Sequence, residues 1–200
     1  NTWDFSIGFD QQRLYFSDIE IYVPVLIGFI FVVPFLYFWF VGRIDRAQRP
    51  RFLIALALGG SQGLLGWFMV KSGLVDRPSV SHFRLAAHLC LALFILAYVF
   101  DLVLSMTARP TDAVPNGLRR LVQVFTLLLV AQLIYGGFTA GLKAGLGFNT
   151  YPKMGEAWIA EAALTLTPFW LNWFENGAMI QFIHRWLGLA VLVAAAVTLG

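Results

Sequence analysis

"RLAAHLCLALFIL" (residues 84–96) sets one histidine in a run whose only other charged or strongly polar residue is Arg84, one helical turn before His88. The apolar character continues to about residue 106. A run over 83–106 is long enough to cross about 30 Å of hydrocarbon as a helix rising about 1.5 Å per residue. Four more runs reach that length, near 20–42, 51–71, 119–141 and 179–200. In lipid a helix satisfies its own backbone polar groups. The pattern predicts an all-α fold: a polytopic membrane helical bundle with five transmembrane helices visible. Pro24 and Pro34 fall within the first run, where neighbouring helices can re-satisfy the freed carbonyls. "GGSQGLLGW" (59–67) and "YGGFTAGLKAG" (135–145) place small residues at helical spacing, which predicts close backbone packing there.

Composition agrees with that class. The 200 residues are 59% hydrophobic, 16% aromatic and 12% charged, where a soluble domain carries about 25% charged residues. The net charge of +3 is small and its cations sit in loops, which argues against a nucleic-acid partner and for topology signals. "GRIDRAQRPR" (42–51) carries four arginines and "TARPTDAVPNGLRR" (107–120) three, half of the 14 Lys and Arg. These loops lie on one side, so 43–51 and 108–120 are expected in the cytoplasm. The segments before residue 20, around 72–83 and over 142–178 then face outward. Trp158, Trp170 and Trp173 suit an interfacial belt or a short helix on the membrane. The one cysteine, Cys90, lies in an apolar run, so there is no internal disulfide framework. Residue 1 is Asn, no signal sequence precedes the first apolar run, and the chain is expected to be a piece of a longer protein.

With that orientation, His88 and His184 each lie about five residues inside the outer end of a helix, roughly 7 Å deep. Glu20 stands near the outer end of the first run. Arg84 precedes His88 by one turn, and Arg185 follows His184 directly. Ionisable groups inside membrane helices are costly and mark candidate functional sites. Neutral imidazole is a common axial ligand of heme iron, and arginine forks pair with carboxylates such as heme propionates. The bland alternative stays open: hydrogen-bonded structural histidines, with arginines reaching headgroups. The other chemistries lack their signatures. No His/Cys cluster has zinc spacing, no glycine loop ends in a phosphate-binding Lys, and "GSQG" (60–63) misplaces its serine for a nucleophile elbow.

Longer motifs narrow the choice. "LGGSQGLLGWFMVKSGLVDRPSVSHFRLAAHL" (58–89), "GGFTAGLKAGLGFNTYPKMGEAWI" (136–159) and "NWFENGAMIQFIHRWLGLAV" (172–191) resemble heme A synthase of the proteobacterial and mitochondrial type. The resemblance covers roughly residues 34–200. It implies eight helices in two four-helix halves, of which the first helix and the last two are missing here. Residues 1–108 would be the N-terminal half-bundle (second to fourth helices), and 118–200 the start of the C-terminal one (fifth and sixth). It further implies oxidation of the C8 methyl of heme o, through an alcohol, to the formyl of heme a for terminal oxidases. A resident heme b belongs to the C-terminal half and the substrate heme o to the N-terminal half. His88 would be one ligand of the N-terminal iron and His184 one of the C-terminal iron, with Arg84 and Arg185 suited to propionates. A bacterial inner-membrane location, a homo-oligomer, and heme o synthase and oxidase-assembly partners are expected on the same ground.

One segment departs from the family. Its second helix carries Glu-aromatic-x-His-Arg-x-x-Gly-Arg before the run resembling "IGFIFVVPFLYFW" (27–39), where this chain reads "SDIEIYVPV" (17–25). Ser17 stands at the glutamate position, Glu20 at the histidine, where it becomes the candidate catalytic group, and Pro24 at the glycine. A non-catalytic membrane heme-binding electron carrier or heme carrier is therefore the alternative to the enzyme, and a bundle with unfilled heme sites is a third.

Overall fold

Apolar runs in lipid leave the backbone few choices, and the long apolar runs among the described residues take the helical one. A computed structural model describes residues 6–73, 81–107 and 113–199; the side chains of 6–21, 24 and 70–73 lie outside the description. The long helices are α1 (Ser6–Phe40), α2 (Arg49–Gly73), α3 (His82–Thr107) and α4 (Asn116–Gly141). After a four-residue turn of helix, α5 (Ala144–Gly147), come two 3-10 turns at Glu161–Leu164 and Phe169–Leu171. Then follow the short α6 (Asn172–Glu175) and the last long helix, α7 (Gly177–Leu199). Among the described residues four stretches are long and apolar enough to cross a membrane: Arg49–Met69, His82–Thr107, Asn116–Gly141 and Gly177–Leu199. Val25–Phe40, within α1, is apolar but shorter. Large apolar side chains such as Phe94, Leu96 and Phe100 on α3 and Leu127 on α4 are exposed. A water-soluble monomer rarely leaves so much apolar surface uncovered, whereas acyl chains cover it readily. The chain is an all-α, multi-pass membrane bundle.

The packing gathers into two units, residues 1–63 and 64–200. In the first, buried Phe35 stacks on Phe52 at 5.7 Å and meets Trp39 edge-on at 5.4 Å. Gly42 turns the chain between α1 and α2 with φ +75°, a conformation L side chains rarely adopt. Arg49 closes that turn, its guanidinium 4.8 Å above the Trp39 ring and its Nε donating to the Ile44 carbonyl at 3.4 Å.

In the second unit, α4 packs against both α3 and α7. Glycines let α3 and α4 approach. A Cβ at Gly137 would lie 2.7 Å from the Ala86 Cα, and one at Gly141 2.6 Å from the His82 Cα. Small residues at a membrane helix contact convert such proximity into dispersion energy. Ala86, Phe138 and Ile180 form the buried cluster where α3, α4 and α7 meet. "GGSQGLLGW" behaves differently from the packing seam its glycines predict. Among the described residues nothing lies within 4 Å of a Cβ at Gly59, Gly60 or Gly63, and only Gly66 meets a neighbour.

The segment between α4 and α7 is a folded cap rather than a single surface helix. Met154, Ala163, Ala178 and Met179 form its core. Asn172 is fully buried; its Oδ1 accepts from the Leu166 N–H at 3.0 Å, and its Nδ2 donates to the Leu166 and Phe169 carbonyls. Asn176 donates to the Ala162 carbonyl at 2.6 Å and to Asn172 Oδ1 at 2.9 Å. Its own Oδ1 accepts from the Ala178 and Met179 N–H groups, the position of a helix N-cap. Two asparagines thus fix where α7 begins.

Candidate functional site

That start point sets the depth of His184. It lies seven residues into α7, about 11 Å along the axis, while His88 lies six residues into α3, about 9 Å. Both are slightly deeper than the five residues expected from the apolar runs. Each ring is seated on a glycine of a neighbouring helix. A Cβ at Gly66 of α2 would lie 3.2 Å from His88 Cε1 and 3.9 Å from each ring nitrogen. A Cβ at Gly136 of α4 would lie 3.2 Å from His184 Cε1, 3.8 Å from Nδ1 and 4.0 Å from Nε2. The same edge of the imidazole meets the same kind of backbone in both places.

The two seats lie back to back across the α3–α4 contact. Ala86, which touches Gly137, is two residues from His88, and Gly137 adjoins Gly136. Positions two apart on a helix point to nearly opposite sides, so His88 turns toward α2 while Ala86 turns toward α4. His88 and His184 accordingly occupy separate sites.

Arg84 shares the α2-facing side of α3 with His88, and its guanidinium lies 4.8 Å from the Phe68 ring centroid. Arg185 reaches the outward cap instead: its Nη1 donates to the Lys153 carbonyl at 3.2 Å and its Nη2 to the Phe148 carbonyl. That cap is shaped by Thr150, whose hydroxyl donates to the Lys153 carbonyl at 2.9 Å and accepts from the Gly155 N–H at 2.7 Å. The Phe-Asn-Thr-aromatic-Pro-x-Met motif is therefore a self-bonded turn tied to α7 beside His184. Glu20 belongs to α1, but its side chain lies outside the described residues, as do those of Ser17 and Pro24.

A polar seam runs along α4 and α7. Gln132, Gly136 and Thr139 share one face of α4; Gln181, His184 and Gly188 share one face of α7. Gly136 faces His184, and a Cβ at Gly188 would lie 3.1 Å from Gln132 Nε2, which fixes an antiparallel register. Gln132 Oε1, Thr139 Oγ1, Gln181 Oε1 and His184 Nδ1 are buried with no hydrogen-bond partner among the described residues. Such atoms are costly in lipid and point to a site completed by another group. Inward of this seam, α4 and α7 leave an open groove of about 490 Å³ lined by residues such as Leu121, Leu128, Trp186 and Val193. The groove's lining is apolar apart from Thr198.

Sequence reasoning singled out both histidines and both arginines as candidates but not the glycine seats. Their signal was present: Gln-x-x-x-Gly-x-Phe occurs at 62–68 and again at 132–138, each time opposite a histidine. It also missed His82, whose Nε2 lies 2.8 Å from the Phe174 carbonyl and 3.8 Å from a Glu175 carboxylate oxygen.

Comparison with known proteins agrees with these motifs. Curated heme A synthases are similar over most of the chain. That of Rhodospirillum centenum is 42% identical over 174 residues, covering 86% of this chain and 46% of the relative. That of the Brugia malayi Wolbachia is 43% identical over 175 residues, covering 86% and 52%. That of Parvibaculum lavamentivorans is 41% identical over 168 residues, covering 84% and 49%. The chain spans about half the length of the curated relatives it matches. No solved structure matches it. The family of cytochrome oxidase assembly proteins, COX15-CtaA, matches residues 19–200, nearly the whole chain. This chain is a member of that family.

Proposed function

We propose that the whole protein is a heme A synthase, which oxidises the C8 methyl of heme o to the formyl of heme a for terminal oxidase assembly. The observation that carries the proposal is the pair of glycine-seated imidazoles, His88 and His184, in separate sites at similar depth in the membrane. Their surroundings fit an iron porphyrin. His184 has a buried Nδ1 without a partner, and a Cβ on Gly136 would crowd the space its ring needs. In this reading His184 is an axial ligand of a resident heme b and His88 an axial ligand of substrate heme o. The two sites belong to the C-terminal and N-terminal half-bundles, 118–200 and 1–108. A bound heme b supplies one-electron chemistry that no amino-acid side chain offers.

The chain's own contribution is placement. Helix faces exclude water from the macrocycle, and the histidines fix its height. Arg84, beside His88, pairs with a propionate and limits rotation of the ring, so that one methyl is delivered to one place. Arg185 holds the outward cap through two carbonyls, and its remaining N–H donors are available to a second propionate. The loops 43–51 and 108–120 lie in the cytoplasm of a bacterial inner membrane, and the enzyme works as a homo-oligomer beside heme o synthase and oxidase-assembly factors.

Ser17 and Glu20, at the family's glutamate and histidine positions, favour a second reading, a heme carrier or electron carrier without catalysis. Full-length protein supplied with heme o, oxygen and a reductant system separates the two. Heme a or its alcohol precursor accumulates if the enzyme reading is right. A normal heme spectrum with heme o unchanged sinks it in favour of the carrier.

A further inference from the structure

Gly66 and Gly136 are the two glycines whose absent side chains are replaced by an imidazole edge. The match is close: 3.2 Å from the notional Cβ to Cε1 in both, with both ring nitrogens at 3.8–4.0 Å. A Cβ at 3.2 Å is tighter than ordinary van der Waals contact, so an alanine would push each ring by a few tenths of an ångström. Glycine is otherwise a costlier helix residue than alanine. Its use opposite both histidines, in a Gln-x-x-x-Gly-x-Phe setting each time, calls for a local reason.

Helix geometry supplies one. The carbonyl of residue i bonds the N–H of residue i+4, so a glycine at i+4 leaves that carbonyl uncovered on the side where its Cβ would stand. For Gly136 the carbonyl is that of Gln132, and it lies beside the His184 ring. His184 Nδ1 is buried and stops short of a formal hydrogen bond. The nitrogen a histidine gives to a metal is set by the bond its other nitrogen makes, often Nδ1–H to a main-chain carbonyl. Hydrogen bonds in ligand-free sites are commonly long and tighten when the site fills.

We infer that Gly66 and Gly136 are positioning residues for the heme ligands. Each seats an imidazole by its Cε1 edge and fixes its height. Gly136 also bares the Gln132 carbonyl, which accepts a hydrogen bond from Nδ1–H and leaves Nε2 to face iron. The inference rests on the heme-ligand reading above and adds residues that touch neither porphyrin nor substrate.

Four glycine-to-alanine variants of the full-length protein, compared by heme content and by the reduced and oxidised heme spectra, test it. Gly66→Ala and Gly136→Ala should each weaken heme retention at their own site by about 10-fold or more, the usual effect of disturbing a ligand's supporting partner, and shift the spectrum of the heme that remains. Gly63→Ala and Gly117→Ala, where a Cβ meets nothing within 4 Å, should leave both unchanged. A second comparison separates ring placement from helix packing. Free imidazole should restore heme to Gly136→Ala/His184→Gly as fully as to His184→Gly, because an untethered ring can shift to clear the added methyl. Seat variants indistinguishable from the two controls, or a double variant that imidazole does not restore, overturn the inference while leaving the histidines as ligands. Wild-type protein whose hemes are ligated by neither His88 nor His184 would instead overturn the functional proposal itself.

Discussion

His82 and His88 stand six residues apart on α3 and meet different chemistry. His82 is buried, its Nε2 lies 2.8 Å from the Phe174 carbonyl, and its ring packs against Phe83 and Phe138. It ties the outward cap to the helix bundle. His82→Ala should leave the Phe174 carbonyl short of a partner and cost about 1–3 kcal/mol, seen as a lower unfolding temperature and faster proteolysis within 148–175. Equal stability would remove the clasp role. On the proposed reading His88 ligates the substrate iron, so His88→Ala should weaken heme o capture with the protein still inserted. Unchanged heme o binding would take His88 off the ligand list. The apolar run around His88 made it conspicuous in the sequence. His82 sits at the start of that run, beside Ser81, where a polar residue draws no notice, and its partners lie 92 and 93 positions away.

The same contrast holds for whole elements. The long helices α2, α3, α4 and α7 were legible because a spanning helix must be apolar for its whole length, and their ends fall within a few residues of those expected. The 142–178 segment was legible only as an aromatic, outward-facing stretch. Its shape comes from side chains that bond the backbone, and such bonds leave no periodic pattern. Asn172 and Asn176, one turn apart, do most of this. Asn176→Ala should remove the α7 N-cap and strand the Ala162 carbonyl, costing about 1–3 kcal/mol. Because α7 carries His184, heme retention should also fall; Asn176→Asp keeps the N-cap acceptor but turns a carboxylate oxygen toward the Ala162 carbonyl and Asn172 Oδ1, and should be destabilised as well. Thermal unfolding of the two variants side by side checks this, and equal melting of Asn176→Ala and wild type would contradict it. The glycine seats illustrate a third case. Small residues at helical spacing predicted packing, but whether a glycine meets backbone, as Gly137 does, or an imidazole edge, as Gly136 does, depends on a partner helix the spacing does not name.

At the scale of the molecule, the arginine-rich segments 43–51 and 108–120 carry the topology we propose, in which both are cytoplasmic. On that proposed topology the histidine seats lie toward the outer surface, and the segment that Arg185 and Thr150 hold together lies beside His184. A membrane-impermeant thiol reagent should label Trp158→Cys in intact cells and Asp45→Cys only after permeabilisation; the reverse pattern would invert the topology. The whole account turns on the histidines binding iron from these seats. The direct measurement is the heme-to-protein ratio of full-length His184→Ala beside wild type, after confirming equal membrane insertion. The expected result is the loss of one heme per chain, the resident one. Full retention of heme in a correctly inserted His184→Ala protein would contradict the account.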